Sequence, residues 1–327
     1  MTRSRDLGLD AVRGIAILSM FVAHFAPAAG PGEVLTLSEY LTAFLFVLLI
    51  GMGAELGRHS PTRWRSSQAR ALSLVVIGLL LTQLPMQIIV VLVWLGVMLF
   101  VATWLVELPW WANLGAAAAA VAVAPTLMTK ALEWQAAQVR DGLSLELVRM
   151  SVGPHPYRLL AFVVPACAGV LLVRYATTDR LRLQVGAAAG AVAAALVVLD
   201  RAGVAALDPY TGTRQEIVFD TALALGVACF VWVLAPKVAG VGRSLAALGV
   251  VALSVYVAQV VGDYVFFKAG GATDDSWVVL GGATAAALLF GLAWLPVARR
   301  TGWRGPVEGP IDALARGRWP RPSMVKP

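Results

Sequence analysis

Long apolar runs, separated by short polar connections, dominate the hydrophobic pattern of the chain. About ten of these runs reach the length that a helix needs to cross a bilayer. They lie near residues 9–28, 38–57, 69–84, 86–106, 109–128, 158–175, 183–199, 217–236, 244–266 and 276–298. Each run is continuously apolar, whereas a transmembrane strand alternates apolar and polar positions, so a β-barrel is excluded. The pattern predicts an all-α integral membrane protein, a bundle of about ten transmembrane helices.

Composition and charge agree with this class and predict its orientation. The chain is 59% hydrophobic and 14% charged, outside the range of soluble proteins. With a cytoplasmic N-terminus, eighteen basic residues fall on the cytoplasmic side and seven on the other. We therefore expect a protein of the cell membrane with both termini in the cytoplasm. We expect one domain over residues 1–327, with an outer amphipathic loop at 129–157 and a basic cytoplasmic tail at 299–327. Arg13 interrupts the first apolar run, which indicates a retained helix and not a cleaved signal peptide.

The first apolar run contains three ionisable residues, Asp10, Arg13 and His24. Ionisable groups at membrane depth are costly, and by default they mark a functional site. Arg13 and His24 are eleven residues apart, which puts them on one helix face about 16 Å apart along the axis. Asp10 lies three residues before Arg13 and is placed to pair with it. These three residues are the candidate catalytic set.

The same segment carries a resemblance to a known family. The stretch LDAVRGIA at residues 9–16, followed by His24, is similar to the opening of the transmembrane acyltransferase superfamily. The rest resembles the YeiB-type membrane proteins, relatives of heparan-alpha-glucosaminide N-acetyltransferase and of the acyltransferase-3 O-acyltransferases. Four further stretches carry this likeness: LFVLLIGMGAELG at 45–57, PHPYRLLAFVVPACAGVLLVR at 154–174, LAALGVVALSVYVAQ at 245–259 and WRGPVEGPIDALAR at 303–316.

The resemblance implies a reaction and contains one departure. It implies a cytoplasmic acyl-CoA donor, with acetyl-CoA expected, and an envelope glycan or lipid-linked acceptor reached from outside. YeiB-type proteins commonly carry Asn where this chain has His24, whereas the O-acyltransferase branch carries His. Many YeiB-type members have no assigned substrate, so membership in that branch does not by itself imply catalysis.

A basic loop after the second apolar run suits the polyanionic head of an acyl-CoA. Guanidinium groups match phosphate geometry, and an indole ring can stack on adenine. The alternative is that these residues only anchor the cytoplasmic side of the membrane. Arg13 would guide the donor inward, or it would pair structurally with Asp10 or Glu55. The candidate donor-binding residues are Glu55, Arg58, Arg63, Trp64, Arg65 and Arg70.

His24 has two candidate roles, and a set of polar residues elsewhere suits an acceptor. An imidazole can take a proton from the acceptor near neutral pH, or it can accept the acyl group itself. The alternative is a packed, hydrogen-bonded histidine. Some of the candidate acceptor residues lie at the ends of predicted spans, where polar groups often simply face water. They are His155, Tyr157, Arg158, Asp220, Tyr256, Gln259 and Asp263.

Two other functional classes remain open from the sequence. A small-molecule or lipid transporter, or a flippase, is the main alternative, although we find no convincing inverted repeat. A non-catalytic relative that binds lipid is the other. We expect no metal site, because the chain has only three histidines and two cysteines, and both cysteines fall inside predicted spans. We expect no nucleic-acid partner, because the basic residues lie in short juxtamembrane loops without interleaved aromatics. Membrane lipids surround the protein, and a homodimer is compatible with the sequence.

Overall fold

The computed structural model describes residues 6–27, 30–85, 88–137, 157–270 and 276–317. The described residues form helices and connections without a strand, which confirms the all-α class. A short 3₁₀ turn covers Ala235–Lys237, and a π-helical segment covers Asp263–Ala269. The helices are α1 Leu7–Phe25, α2 Gly32–Leu56, α3 Arg63–Leu81, α4 Leu92–Leu105, α5 Trp110–Ala137, α6 Leu159–Tyr175, α7 Asp179–Arg201, α8 Arg214–Leu234, α9 Ala239–Val250, α10 Ala252–Gly262, α11 Trp277–Thr301 and α12 Glu308–Arg316.

Six described helices are long and apolar enough to cross a membrane. A seventh span is present if α9 and α10, which meet at a bend of 69°, count as one broken helix. Two more apolar helices, α4 and α6, are shorter. The predicted third span falls in α3, whose first turns carry Arg63, Arg65 and Arg70. A membrane protein is therefore supported, whereas ten full spans and cytoplasmic termini stay predictions.

The chain divides into two compact units. The first comprises Met1–Thr42, Pro61–Val90 and Phe230–Pro327, and the second comprises Ala43–Ser60 and Val91–Cys229. Two of the boundaries fall within α2 and α8, and the other two fall in the connections on either side of α3. The single-domain arrangement stays a prediction.

In the first unit, α1 packs against α9 at glycines. Gly14 meets the backbone carbonyl of Leu245, and Gly249 meets that of Asp10, so close that neither position has room for a Cβ atom. Small residues of this kind let two helix backbones approach closely in a membrane. Asp6 caps the start of α1, since its carboxylate accepts from the backbone N–H of Leu9 at 3.2 Å. The helix that carries Arg13 and His24 is therefore held firmly at its N-terminal half.

In the second unit, α2 and α6 pack in the same way. Gly51 lies against the carbonyl of Ala166, and Gly169 lies against that of Leu48, again without room for a side chain. The rings of Phe44 and Phe162 meet edge to face, 5.6 Å between centroids. This contact adds an aromatic pair to the glycine seam.

Candidate functional site

The charged residues of α1 form the ion pair that their spacing predicts. The Arg13 guanidinium donates from Nη1 to Oδ1 of Asp10 at 2.5 Å. The Asp10 side chain is 6% exposed, whereas that of Arg13 is 36% exposed. Asp10 is thus a buried anchor, and about a third of the Arg13 side chain remains exposed.

His24 lies near the other end of α1, where it contacts α10. The helix runs unbroken from Leu7 to Phe25, so Arg13 and His24 share one face as predicted. The side-chain amide of Gln259 lies within hydrogen-bond distance of Nδ1 of His24, at 2.5 Å, and which of the two groups donates depends on the tautomer of the ring. Gln259 is buried, while His24 is only half-buried. Gln259 was expected to bind the acceptor, and the structure brings it to the imidazole instead.

The start of α10 is held by the C-terminal part of the chain. The carboxylate of Glu308 accepts from the backbone N–H of Ser254 at 3.0 Å and pairs with the Ser254 hydroxyl through a very short hydrogen bond. The same hydroxyl accepts from the backbone N–H of Val307 at 3.0 Å. These bonds satisfy polar groups that the bend between α9 and α10 frees. They fix the helix on which Tyr256 and Gln259 are carried.

Asp263 and Tyr256 lie on the same stretch of chain as Gln259. Both are buried, and Asp263 begins the π-helical segment one turn after Gln259. Segments of π-helix occur frequently at functional sites. His24, Tyr256, Gln259 and Asp263 all belong to the first unit, so four of the predicted site residues lie within one compact body.

The predicted donor-binding arginines of the first unit differ in the groups that their guanidiniums contact. The guanidinium of Arg63 stands over the ring of Trp64, 5.6 Å from its centroid. Arg70 donates to Asp312 of α12 at 2.8 Å. The guanidinium of Arg65, a residue of α3, lies beside Gly317, which follows α12. Arg70 is thus partly committed to the fold, and Arg63 and Trp64 form a stacked cationic and aromatic pair.

Glu55, also predicted at the donor site, is engaged within the second unit. Its carboxylate accepts two hydrogen bonds from Arg174, at 3.0 Å and 2.6 Å, and lies 3.6 Å from the guanidinium of Arg58. Arg174 also donates to the carbonyls of Val106 and Leu108 just after α4, each at 2.8 Å. Of the two partners considered for Arg13, Asp10 is the one it contacts, and Arg174 was not foreseen as the partner of Glu55.

The predicted acceptor residues of the second unit occupy two places. Tyr157 packs against the ring of Trp94, 5.8 Å between centroids. Asp220 is buried in α8, and its Oδ1 has no hydrogen-bond partner among the described residues. His155 and most of the predicted loop at 129–157 lie outside the described residues, as does the end of the predicted tail at 299–327.

Arg158 belongs to a polar cluster with Glu216, which the sequence analysis did not single out. Arg158 donates to the carbonyl of Tyr210 at 2.5 Å, and Glu216 accepts from the Thr211 hydroxyl at 3.0 Å and from the backbone N–H of Gly212. Arg158 and Glu216 carry opposite charges, and both side chains are buried. Glu216 stands one turn before Asp220, a spacing that indicates a shared helix face.

Comparison with known proteins supports the family that the N-terminal segment suggested. Residues 5–210 match the family described as heparan-alpha-glucosaminide N-acetyltransferase, catalytic. The match covers more than half of the chain and includes Asp10, Arg13 and His24. A search of curated proteins found no match. The narrower YeiB-type and acyltransferase-3 relationships stay predictions. The chain belongs to the heparan-alpha-glucosaminide N-acetyltransferase family.

Proposed function

We propose that the protein is a membrane acetyltransferase that moves an acetyl group from cytoplasmic acetyl-CoA to an envelope glycan or lipid-linked acceptor. The family uses acetyl-CoA as its donor in general. The observation that carries the proposal is the arrangement of α1: a partly exposed arginine and a half-buried histidine lie on one face of an unbroken helix, inside the matched segment.

The donor is proposed to enter along this face of α1. The nucleotide head of acetyl-CoA is polyanionic, and guanidinium groups bind phosphate strongly. Arg13, Arg63 and Arg65 supply such groups in the first unit, and Trp64 offers a ring for adenine. The slim pantetheine arm is of the same order of length as the 16 Å or so between Arg13 and His24. Arg58 and Glu55 are retained as predictions, and we assign the Glu55 carboxylate a structural role with Arg174.

The chemistry proposed for His24 is proton transfer during attack on the thioester. A ring nitrogen takes the proton of the acceptor hydroxyl or amine while the acceptor lone pair forms a bond to the thioester carbonyl carbon. The carbon–sulfur bond then breaks, and the imidazolium returns its proton to the CoA thiolate. In the two-step alternative, the ring nitrogen attacks the carbonyl carbon, the carbon–sulfur bond breaks, and CoA leaves as the thiolate. The acceptor then attacks the acetyl-imidazole, the bond between the ring nitrogen and the acetyl carbon breaks, and the acceptor proton neutralises the thiolate. Asp10 holds Arg13 in place in either route.

The acceptor is proposed to approach from the outer side, opposite to the donor. In the second unit, His155, Tyr157, Arg158 and Asp220 remain predicted acceptor contacts. In the first unit, Tyr256 and Asp263, on the same stretch of chain as Gln259, remain predicted separately. Many sugar acceptors present hydroxyl and amine donors, which suit buried carboxylates and amides. A transporter or flippase is the competing proposal, since a half-buried polar site in a membrane protein also suits a cargo.

Ligand-dependent thermal stability separates these proposals. The purified protein in detergent is heated with acetyl-CoA, with CoA and with free acetate. At about one hundred times its Kd, acetyl-CoA is expected to stabilise the folded state by roughly 2.7 kcal/mol, a rise of several degrees in Tm, while acetate has no effect. Equal stabilisation by acetate, or no response to acetyl-CoA, would contradict the proposed donor and favour the transporter.

A further inference from the structure

The Nδ1 atom of His24 is contacted by the side-chain amide of Gln259. Gln259 reaches this atom from α10, far along the sequence from α1, with 2.5 Å between the amide and the ring nitrogen. Gln259 also lies beyond residues 5–210, so the family match assigns it no role. Its amide Oε1 is buried and accepts no hydrogen bond from the residues that the structure describes.

The two orientations of this amide have opposite consequences for His24. If the amide nitrogen faces Nδ1, it donates, and a neutral ring must then carry its proton on Nε2. If the amide is turned over, its oxygen accepts from an Nδ1–H, and Nε2 keeps its lone pair. The two orientations have the same shape, and the second gives the otherwise unpartnered oxygen a donor.

We propose that Gln259 is a positioning residue for His24: its amide oxygen accepts from Nδ1–H and leaves Nε2 as the basic nitrogen. The inference rests on the proposed function, because it gives that function its reactive atom. Nε2 takes the acceptor proton as the acceptor attacks the thioester, the carbon–sulfur bond then breaks, and Nε2 passes the proton to the CoA thiolate. The Nδ1–H bond stays intact throughout. Gln259 forms no bond to donor or acceptor in this account.

The fold supports a fixed position for this amide. Gln259 stands five residues after Ser254, at whose backbone and hydroxyl Glu308 anchors the start of α10. Gln259 is 8% exposed, so its side chain has little freedom to leave the ring. A ring held through Nδ1 by a buried, anchored side chain presents Nε2 in one direction.

Two substitutions at Gln259 test the inference by activity. Gln259→Met has a similar volume and cannot hydrogen-bond, whereas Gln259→Glu keeps an acceptor for Nδ1–H. With labelled acetyl-CoA and glucosamine as substrates, Gln259→Met is expected to lower kcat about tenfold to a hundredfold with little change in KM for acetyl-CoA. Gln259→Glu is expected to transfer at least about ten times faster than Gln259→Met. Gln83→Met, an exposed matched control, should behave as wild type.

A spectroscopic measurement tests the tautomer without relying on activity. In protein labelled with ¹⁵N-histidine, the His24 signals are those lost in His24→Ala. We expect a protonated Nδ1 and a bare Nε2 in the wild type and in Gln259→Glu, and a loss of this preference in Gln259→Met. A bare Nδ1 in the wild type, or wild-type kcat in Gln259→Met, would overturn the inference. Full transfer by His24→Ala would instead refute the proposed function, while the nitrogen spectra would still report the tautomer.

Discussion

Arg13 and Arg174 each lie in an apolar helix, one in each unit, and their guanidinium donors are used very differently. Arg174 makes four hydrogen bonds, two to the Glu55 carboxylate and two to the carbonyls of Val106 and Leu108. Its side chain is 12% exposed. Arg13 bonds to Asp10 as its one partner among the described residues, and its side chain is 36% exposed.

The difference shows how a structural arginine can be told from one available to a ligand. A guanidinium has five N–H donors. Arg174 is nearly saturated by a carboxylate and by backbone oxygens from the end of α4, so it ties α2, α4 and α6 together within the second unit. Arg13 is held by one buried acid, and in the proposed donor path its other N–H groups would face the polyanionic donor. A charge at membrane depth marks a candidate site residue, and the number of its internal partners indicates which role to test.

Replacement of Arg174 should cause the largest loss of folding stability. Arg174→Ala leaves Glu55 buried beside Arg58 alone and strips two carbonyls of their donors, so we expect a stability loss of roughly 3–5 kcal/mol. Thermal unfolding in detergent measures this loss. Arg180→Ala, an exposed substitution six residues away, should leave Tm nearly unchanged. If both variants unfold at the wild-type temperature, Arg174 is not a structural clasp.

Replacement of Arg13 should have a smaller effect, and it should change KM for acetyl-CoA more than stability. Arg13→Gln removes a charge from the proposed donor path, so KM for acetyl-CoA should rise about tenfold, equivalent to roughly 1.4 kcal/mol of binding. Its Tm should fall less than that of Arg174→Ala, because one hydrogen bond is lost instead of four. Steady-state kinetics and unfolding curves of the same preparation give both numbers. Arg243→Gln replaces an exposed arginine on the predicted cytoplasmic side, and as a control it should change neither KM nor Tm. An unchanged KM in Arg13→Gln would show that Arg13 does not bind the donor.

Local features of this fold were predictable from the sequence. The apolar runs predicted the helical membrane class, and the three-residue spacing of Asp10 and Arg13 predicted their ion pair. The eleven-residue spacing predicted a common face for Arg13 and His24, because both lie on one uninterrupted helix. Each of these features depends on residues close together in the chain.

Features made by distant residues were not predictable in the same way. The apolar sequence continues through Val251 without proline, yet the helix bends there, and Glu308, 54 residues after Ser254, anchors the new start. The partner of His24 lies 235 residues away, and that of Glu55 lies 119 residues away. Hydrophobic periodicity carries no information about such pairings.

His24 is proposed to perform the transfer chemistry, and its replacement by alanine tests this role. His24→Ala is assayed for transfer from labelled acetyl-CoA to glucosamine, beside His59→Ala, an exposed loop histidine. We expect the transfer rate of His24→Ala to fall by at least about a hundredfold, while acetyl-CoA still stabilises this variant and His59→Ala stays fully active. Wild-type transfer by a folded His24→Ala protein would contradict the proposed role of His24.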